Sequence, residues 1–211
     1  MTRTFDTWEY DEIEIILGYT RVENHPLLAA WLETPAKSVD QTTLNYLTPL
    51  QKRLIINADA WNEDELKMFF IAPFLSQVPL YFDDFKPFTQ RTMSATFPEL
   101  NLHVTGKVEF FIAKGKQRPR QPYFFLHEHK QERRRDTDPL GQLLIAMIAA
   151  QTVNEIKMPL YGCYVIGRNW FFVIVNDREY SVSLAYDATK PELYSIYALM
   201  SAAPSLIKPY L

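Results

Sequence analysis

Cysteine is almost missing from this chain, with Cys163 the only one among 211 residues. That excludes an internal disulfide and a cysteine-rich zinc site, and the expected role of Cys163 is a buried apolar one. Glycine is scarce as well, at six residues. The chain holds no Gly-x-Ser-x-Gly elbow, no phosphate-binding loop ending in Lys-Ser/Thr and no Gly-x-Gly-x-x-Gly fingerprint, which removes the hydrolases and nucleotide enzymes built on those turns. Long hydrophobic runs are absent too. The longest, Leu143 to Ala150, is far too short to span a bilayer, and the opening MTRTFDTWEYDEIEII carries acids where a signal peptide needs apolar residues. A cytoplasmic protein with no membrane contact is the expectation. Positive charge shows no surplus, because the net charge is −3.

What remains is the composition of an ordinary folded domain. Hydrophobic residues make up 47% and charged residues 22%, and fourteen Phe, twelve Tyr and four Trp argue against disorder. The length suits a single domain spanning 1–211. The charge is unevenly spread. Lys107, Lys114, Lys116, Arg118, Arg120, Lys130, Arg133, Arg134 and Arg135 face only Glu109, Glu128 and Glu132 across the same stretch. A basic stretch inside an acidic chain is either a solvated loop or a phosphate-binding surface.

The first sixty residues read as a helical extension. Apolar residues fall at three and four spacing over Tyr10–Tyr19, Pro26–Leu32 and Thr43–Asn57. Asn62 with Glu65 forms a capping-box pattern that predicts a helix from Glu63 to Gln77, shortened or kinked by Pro73. Leu80 to Phe97 looks aromatic and irregular. Leu102–Ala113 and Pro122–Lys130 then read as a hairpin around the basic KGKQRPRQ connection. Asp136, Thr137 and Asp138 offer caps for a helix after Pro139, whose alanines allow close packing on a sheet. Strands at Leu160–Ile166, Trp170–Val175 and Tyr180–Ala185 and a closing helix from Pro191 to Met200 complete an α/β pattern. The aromatic clusters at 69–88 and 161–173 are read as core.

The chemistry concentrates in YFFLHEHK, residues 123–130. Alternation along a strand puts Glu128 and Lys130 on one face and His127 and His129 on the other. An antiparallel hairpin brings Glu109 to the same end as Glu128. Two carboxylates there suit a hard divalent ion such as Mg2+ or Mn2+, and the lysine is placed to orient water or stabilise charge on a phosphate. A rival reading joins His127 and His129 to His103 as a zinc site, but surface or interhelix histidines are the simpler expectation. Glu-x-Lys alone is also a common cross-strand pair worth only ~0.5 kcal/mol.

The ordered set GKVEFFIA, FFLHEHKQE, DPLGQLLIAMIAAQ and LYGCYVIGRNWFFVIV resembles the PD-(D/E)XK nuclease superfamily, in its uncharacterised prokaryotic branch. The resemblance covers Asn62 to Ala185. It implies a restriction-endonuclease-like core at 62–185, a central mixed β-sheet flanked by helices, with 1–60 as a helical N-terminal extension and 186–211 as a C-terminal helix. It assigns Glu109, Glu128 and Lys130 as the catalytic set, Glu109, Glu128 and Glu65 as metal ligands, and Gln142 as a supporting residue. Lys114, Lys116, Arg118, Arg120, Arg133, Arg134 and Arg135 become candidate DNA contacts. The implied activity is Mg2+- or Mn2+-dependent cleavage of DNA; the alternative is the same fold kept as an inactive binding module. Two positions depart from the family pattern: Glu109 stands where Asp is usual, and Val108 replaces the proline. The sequence leaves the oligomeric state open, a homodimer included. Glu65 also has a purely structural reading as a helix-capping residue.

Overall fold

The computed structural model describes residues 1–34, 39–130, 138–154 and 157–210, without the side chains of residues 122 and 124–126. The elements begin with β1 (Thr2–Thr4), α1 (Tyr10–Leu17), β2 (Thr20–Arg21), α2 (Pro26–Leu32) and α3 (Gln41–Asn57). A continuous helical run follows, made of α4 (Glu63–Leu66), a π-helical turn (Lys67–Ile71) and α5 (Ala72–Leu75). Next come β3 (Phe85–Phe97), β4 (Leu102–Lys114), β5 (Arg120–Lys130) and α6 (Pro139–Val153). The chain ends with β6 (Leu160–Ile166), β7 (Asn169–Asn176), β8 (Glu179–Val182), β9 (Tyr186–Asp187) and α7 (Glu192–Ile207).

Together the strands form one nine-stranded mixed sheet in the order β1-β4-β5-β6-β7-β8-β2, with β3 on the other edge of β4 and β9 beside β7. Parallel pairing joins β5 to β6, β1 to β4 and β2 to β8; the remaining pairs are antiparallel. Helices cover both faces. On one side α2, α3, the helical run and α7 pack on Cys163, Val165, Trp170 and Phe172; on the other α1 and α6 pack on Tyr164, Val173 and Val175. Period-two alternation along β6 and β7 thus feeds two separate cores. Cys163 is fully buried against Met200, as its apolar reading requires.

The first sixty residues are more than a helical extension. β1 and β2 each add a strand to the sheet, while Phe5, Trp8, Ile13 and Leu17 enter the α6-side core. Three- and two-residue strands are too short to show periodicity, so only tertiary pairing reveals them. Phe85–Phe97 also differs from the irregular reading: it is a thirteen-residue edge strand paired along nearly all of β4. Pro87 is tolerated there because an edge strand leaves one side of its backbone unpaired. Elsewhere the local signals hold. Asp40 caps α3 through Thr43 N–H at 2.7 Å, Asp138 caps α6 through Leu140 N–H at 3.0 Å, and Pro139 sits at the first helical position. α6 is buried on every side from Leu140 to Ala150. It closely approaches the segment leading into α1 at Gly141, where a Cβ would lie 2.3 Å from the Trp8 carbonyl oxygen.

One irregularity positions the site. Phe88 belongs to the α6-side core and Phe85 to the other, yet Met93, Ala95 and Phe97 also face α6, so the alternation of β3 slips by one residue between them. β4 slips at the same level, with Val108 and Phe111 both on the α6 side. The register is kept because Thr89 pairs with Phe110 and Arg91 with Val108. Gln90, with φ of +53°, and Glu109 occupy the slipped position.

Candidate active site

β1 and β5 share one edge of β4, since both pair with it on the side away from β3. β1 covers His103 to Thr105, and the β5 ladder begins at Phe110 opposite His127. Among the described residues no strand pairs with that edge between the two. A cavity of about 310 Å³ opens there, lined by Asp6, Gly106, Lys107, Glu109, Glu128, Lys130 and Gln142 among others. The hairpin geometry brings Glu109 and Glu128 one step beyond the Phe110–His127 pair on their own strands, at the same end, as expected.

Glu128 is only 8% exposed, and its Oε1 lies 2.9 Å from Lys130 Nζ. Burial pushes its carboxyl up to about 7 against the pull of Lys130, and the nearby charges of Glu109 and Glu63 add to the rise. Burial likewise works against the charged form of Lys130, but the Glu128 carboxylate outweighs it and the net shift is upward. Lys130 also comes within 3.8 Å of Glu63. Gln142, in the first turn of α6, is 8% exposed, and its Oε1 has no hydrogen-bond partner among the described residues. The residue lines the cavity, while that oxygen is itself buried.

Glu109 is held differently. Its Oε2 accepts from Lys67 Nζ at 2.8 Å and from Gln90 Nε2, and lies 3.8 Å from His129 Nε2. Burial opposes its ionisation, yet the Lys67 ammonium and the Gln90 amide together hold its carboxyl below the usual value. The π-helical turn carries Lys67, and such turns recur at functional sites. Neither Lys67 nor Gln90 was expected at the site. Lys67 gives no sequence signal, because a π turn is not visible in periodicity; Gln90 was hidden in a stretch with no apparent strand.

Several expected placements are changed. Glu65 closes the capping box: its Oε2 accepts from Asn62 N–H at 2.9 Å while its own N–H donates to Asn62 Oδ1 at 2.9 Å. Glu63, two residues earlier, is the acid of this run that reaches Lys130. The basic connection is at the wrong end of the hairpin to touch the carboxylates, since Lys114 is five residues from Glu109, or about 17 Å along a strand. Lys114 lies over the Phe85 ring at 4.9 Å, and Lys116, Arg118 and Arg120 are exposed beyond it. Arg133, Arg134 and Arg135 lie outside the described residues. The three-histidine zinc set does not assemble: His103 is seven residues from Phe110 on β4 and is bonded to Thr96 at 3.0 Å. His127 and His129 are not surface groups either, being 1% and 3% exposed on the face opposite Glu128 and Lys130.

Among the described residues no three His, Cys, Asp or Glu side chains group as a self-sufficient metal cage. A hard ion such as Mg2+ needs less, because one or two carboxylates suffice when water and substrate phosphate complete its shell. The donor set here, two glutamates around an open cavity with the amide of Gln142 beside them, fits that chemistry and not a zinc cage. The fold and the site therefore define an α/β protein with a mixed sheet flanked by helices and an acid–lysine cavity where a hairpin diverges. The chain matches no family model and no curated protein. No helix among the described residues is long and apolar enough to cross a membrane.

Proposed function

We propose that the protein is a metal-dependent phosphodiesterase acting on DNA, with a restriction-endonuclease-like core of the PD-(D/E)XK type. The observation that carries this reading is the shared cavity of Glu109, Glu128, Lys130 and Gln142 at the open end of the β4–β5 hairpin. Glu109 and Glu128 would hold Mg2+ or Mn2+, which supplies Lewis-acid stabilisation of charge developing on the phosphoryl oxygens. Lys130 keeps its proton and presents a cation beside Glu128, where it orients the attacking water or the phosphate. Glu128, raised to about 7, carries a proton for part of the time near neutrality and sheds it as positive charge arrives. Gln142 lines the cavity, and its carbonyl, buried without a partner among the described residues, would have to turn to meet a water or a ligand group there. Lys67 and Gln90 fix the Glu109 carboxylate against the strand slip.

Purified protein should nick or cut DNA in Mg2+ or Mn2+. Lys130→Ala and Glu128→Ala should reduce cleavage by at least about a hundred-fold, the scale of losing a catalytic electrostatic partner, with circular dichroism unchanged. Variants as active as the parent would remove the site assignment.

The second reading is a binding module without turnover. It is favoured by the Lys67–Glu109 and Lys130–Glu128 pairs at 2.8 and 2.9 Å, which neutralise each carboxylate from within the chain. Under it, Mn2+ leaves the melting temperature where it was, whereas binding at the site raises it.

A further inference from the structure

The part of the sheet next to the charged cavity has its two faces treated differently. Met93, Ala95, Val104 and Val108 are buried in the α6-side core, whereas the core of the opposite face takes only Phe85, Phe110 and Ile112 from β3 and β4. Beyond those three, the strands turn polar side chains away from α6. Thr92, Ser94, Thr96 and Lys107 are exposed, and His103 and Thr105 are half-buried between them. Thr92 pairs with Lys107, Ser94 with Thr105 and Thr96 with His103, so the side chains stand in rows across the two strands. β1 lengthens two of the rows, with Thr2 beside His103 and Thr4 beside Thr105.

The rows lead to the candidate site, because Thr4 and Lys107 also line the 310 Å³ cavity. From His103 to Lys107 the face runs about 14 Å along β4, or about four nucleotide steps of a DNA strand. Its chemistry is one-sided. None of these residues is acidic, although the chain has 25 acids against 22 bases. Lys130 is held by Glu128, whereas Lys107 makes no ion pair among the described residues, and the hydroxyls of Thr92 and Ser94 have no described partner. The backbone adds a further donor. His103 donates its N–H to Met1 O on the β1 side. Alternation in the antiparallel ladder turns the N–H of Lys107, further along in unbroken register, to that same edge, where no described strand meets it. Lys107 thus brings a main-chain donor to the cavity and an ammonium to the face. Ammonium, hydroxyl and main-chain N–H are the groups that hold the phosphates of nucleic acids in general.

We propose that this hydroxyl-bearing face is the track on which the phosphodiester backbone of DNA lies as it approaches Glu128 and Lys130. The choice of DNA rests on the reading above; the one-sided charge, the unused donors and the continuity with the cavity belong to the face itself. The track takes the place of the basic connection between β4 and β5, which lies at the other end of the hairpin, as the surface that aligns the substrate.

The test is fluorescence anisotropy of a short labelled DNA duplex in EDTA at low salt, so that binding is read without cleavage. The parent should bind saturably. Thr92→Glu/Ser94→Glu should weaken binding by about ten-fold or more, through repulsion of the phosphates. Thr92→Lys/Ser94→Lys should tighten it, an opposite sign that loss of folding cannot imitate. Lys107→Gln should lower the slope of log affinity against log salt by about 0.9, the share of one phosphate contact. Lys52→Gln/Arg53→Gln, at exposed positions of α3, changes the net charge as much as the double glutamate does and should alter binding by less than about two-fold. Absence of saturable binding by the parent overturns the track. So does binding indifferent to the substitutions at Thr92 and Ser94, or weakened equally by the α3 pair. A parent that cleaves DNA while those variants bind as it does overturns the track and spares the DNA reading. Binding that follows the predicted order in a protein that cleaves nothing with Mg2+ or Mn2+ supports the track and counts against cleavage alone.

Discussion

The two faces of β5 place opposite demands on neighbouring residues. On the α6 face Glu128 and Lys130 form a charged pair beside an open cavity; on the other, His127 and His129 are sealed in as neutral rings against Trp170 and Phe110. Burial is the dominant cause on both sides, but it acts on groups of opposite charge type. It raises the carboxyl of Glu128 to about 7 and depresses the imidazole of His129 to about 4. One strand therefore holds two proton-linked groups that respond to pH in opposite senses.

The largest expected effect breaks that opposition. Glu128 binds its proton more tightly when folded, so its contribution to stability falls as pH rises from its unfolded value of 4.5 to about 7. His129 binds its proton less tightly when folded, so its contribution is full above 6.5 and is lost as pH falls towards 4. Each shift corresponds to about 3 kcal/mol over its window. In the parent the two slopes oppose one another between pH 4.5 and 6.5, with His127 adding to the histidine side. In metal-free urea denaturation, Glu128→Gln should steepen the gain of stability with rising pH. His129→Phe should flatten or reverse it. Two variants with the slope of the parent would show that these groups do not carry the linkage.

A middle-sized effect sharpens the comparison from the α6 side. Gly141→Ala would drive a methyl into the Trp8 carbonyl, and such overpacking costs about 1–3 kcal/mol. Because Gln142 is the next residue, the variant should also lower the proposed cleavage of DNA. Thermal melts and a cleavage assay check the two halves. The smallest effect concerns the anchor of the same helix. Asp138 accepts from Leu140 N–H at 3.0 Å and from Tyr10 N–H at 2.9 Å, so Asp138→Ala should cost about 1 kcal/mol, the usual worth of a cap. A loss below a few tenths in chemical denaturation would show that neither the cap nor the Tyr10 contact stabilises the fold.

Much of this arrangement was legible in the sequence where the signal is local. Pro26, Asn62, Glu65 and Asp138 announce their helix starts through capping chemistry, and the alternation in YFFLHEHK separates the two faces of β5. That Glu109 and Glu128 share one end of the hairpin also follows from the two strands alone, whereas the register shifts nearer its turn do not. What stayed hidden depends on distant partners. β1 is three residues long and exists through its pairing with β4, a hundred positions away. The period-two pattern of Arg91, Met93, Ala95 and Phe97 is a fair strand signal, but Pro87 and the slip at Gln90 interrupt it. Lys67 could not be assigned to Glu109 beforehand, since the π turn alters which side of the helix it occupies.

The unpaired edge of β4 also bears on how the protein folds and breathes. The hairpin of β4 and β5 closes locally, whereas β1 brings the start of the chain back across about a hundred residues, a contact that carries a high loop-closure cost. One wall of the charged cavity, from Thr4 to Asp6, is therefore built by a segment whose strand partner lies far along the chain. Amide hydrogens of β1 should exchange before those of β5 and β6, and each such opening would transiently widen the groove beside Glu128.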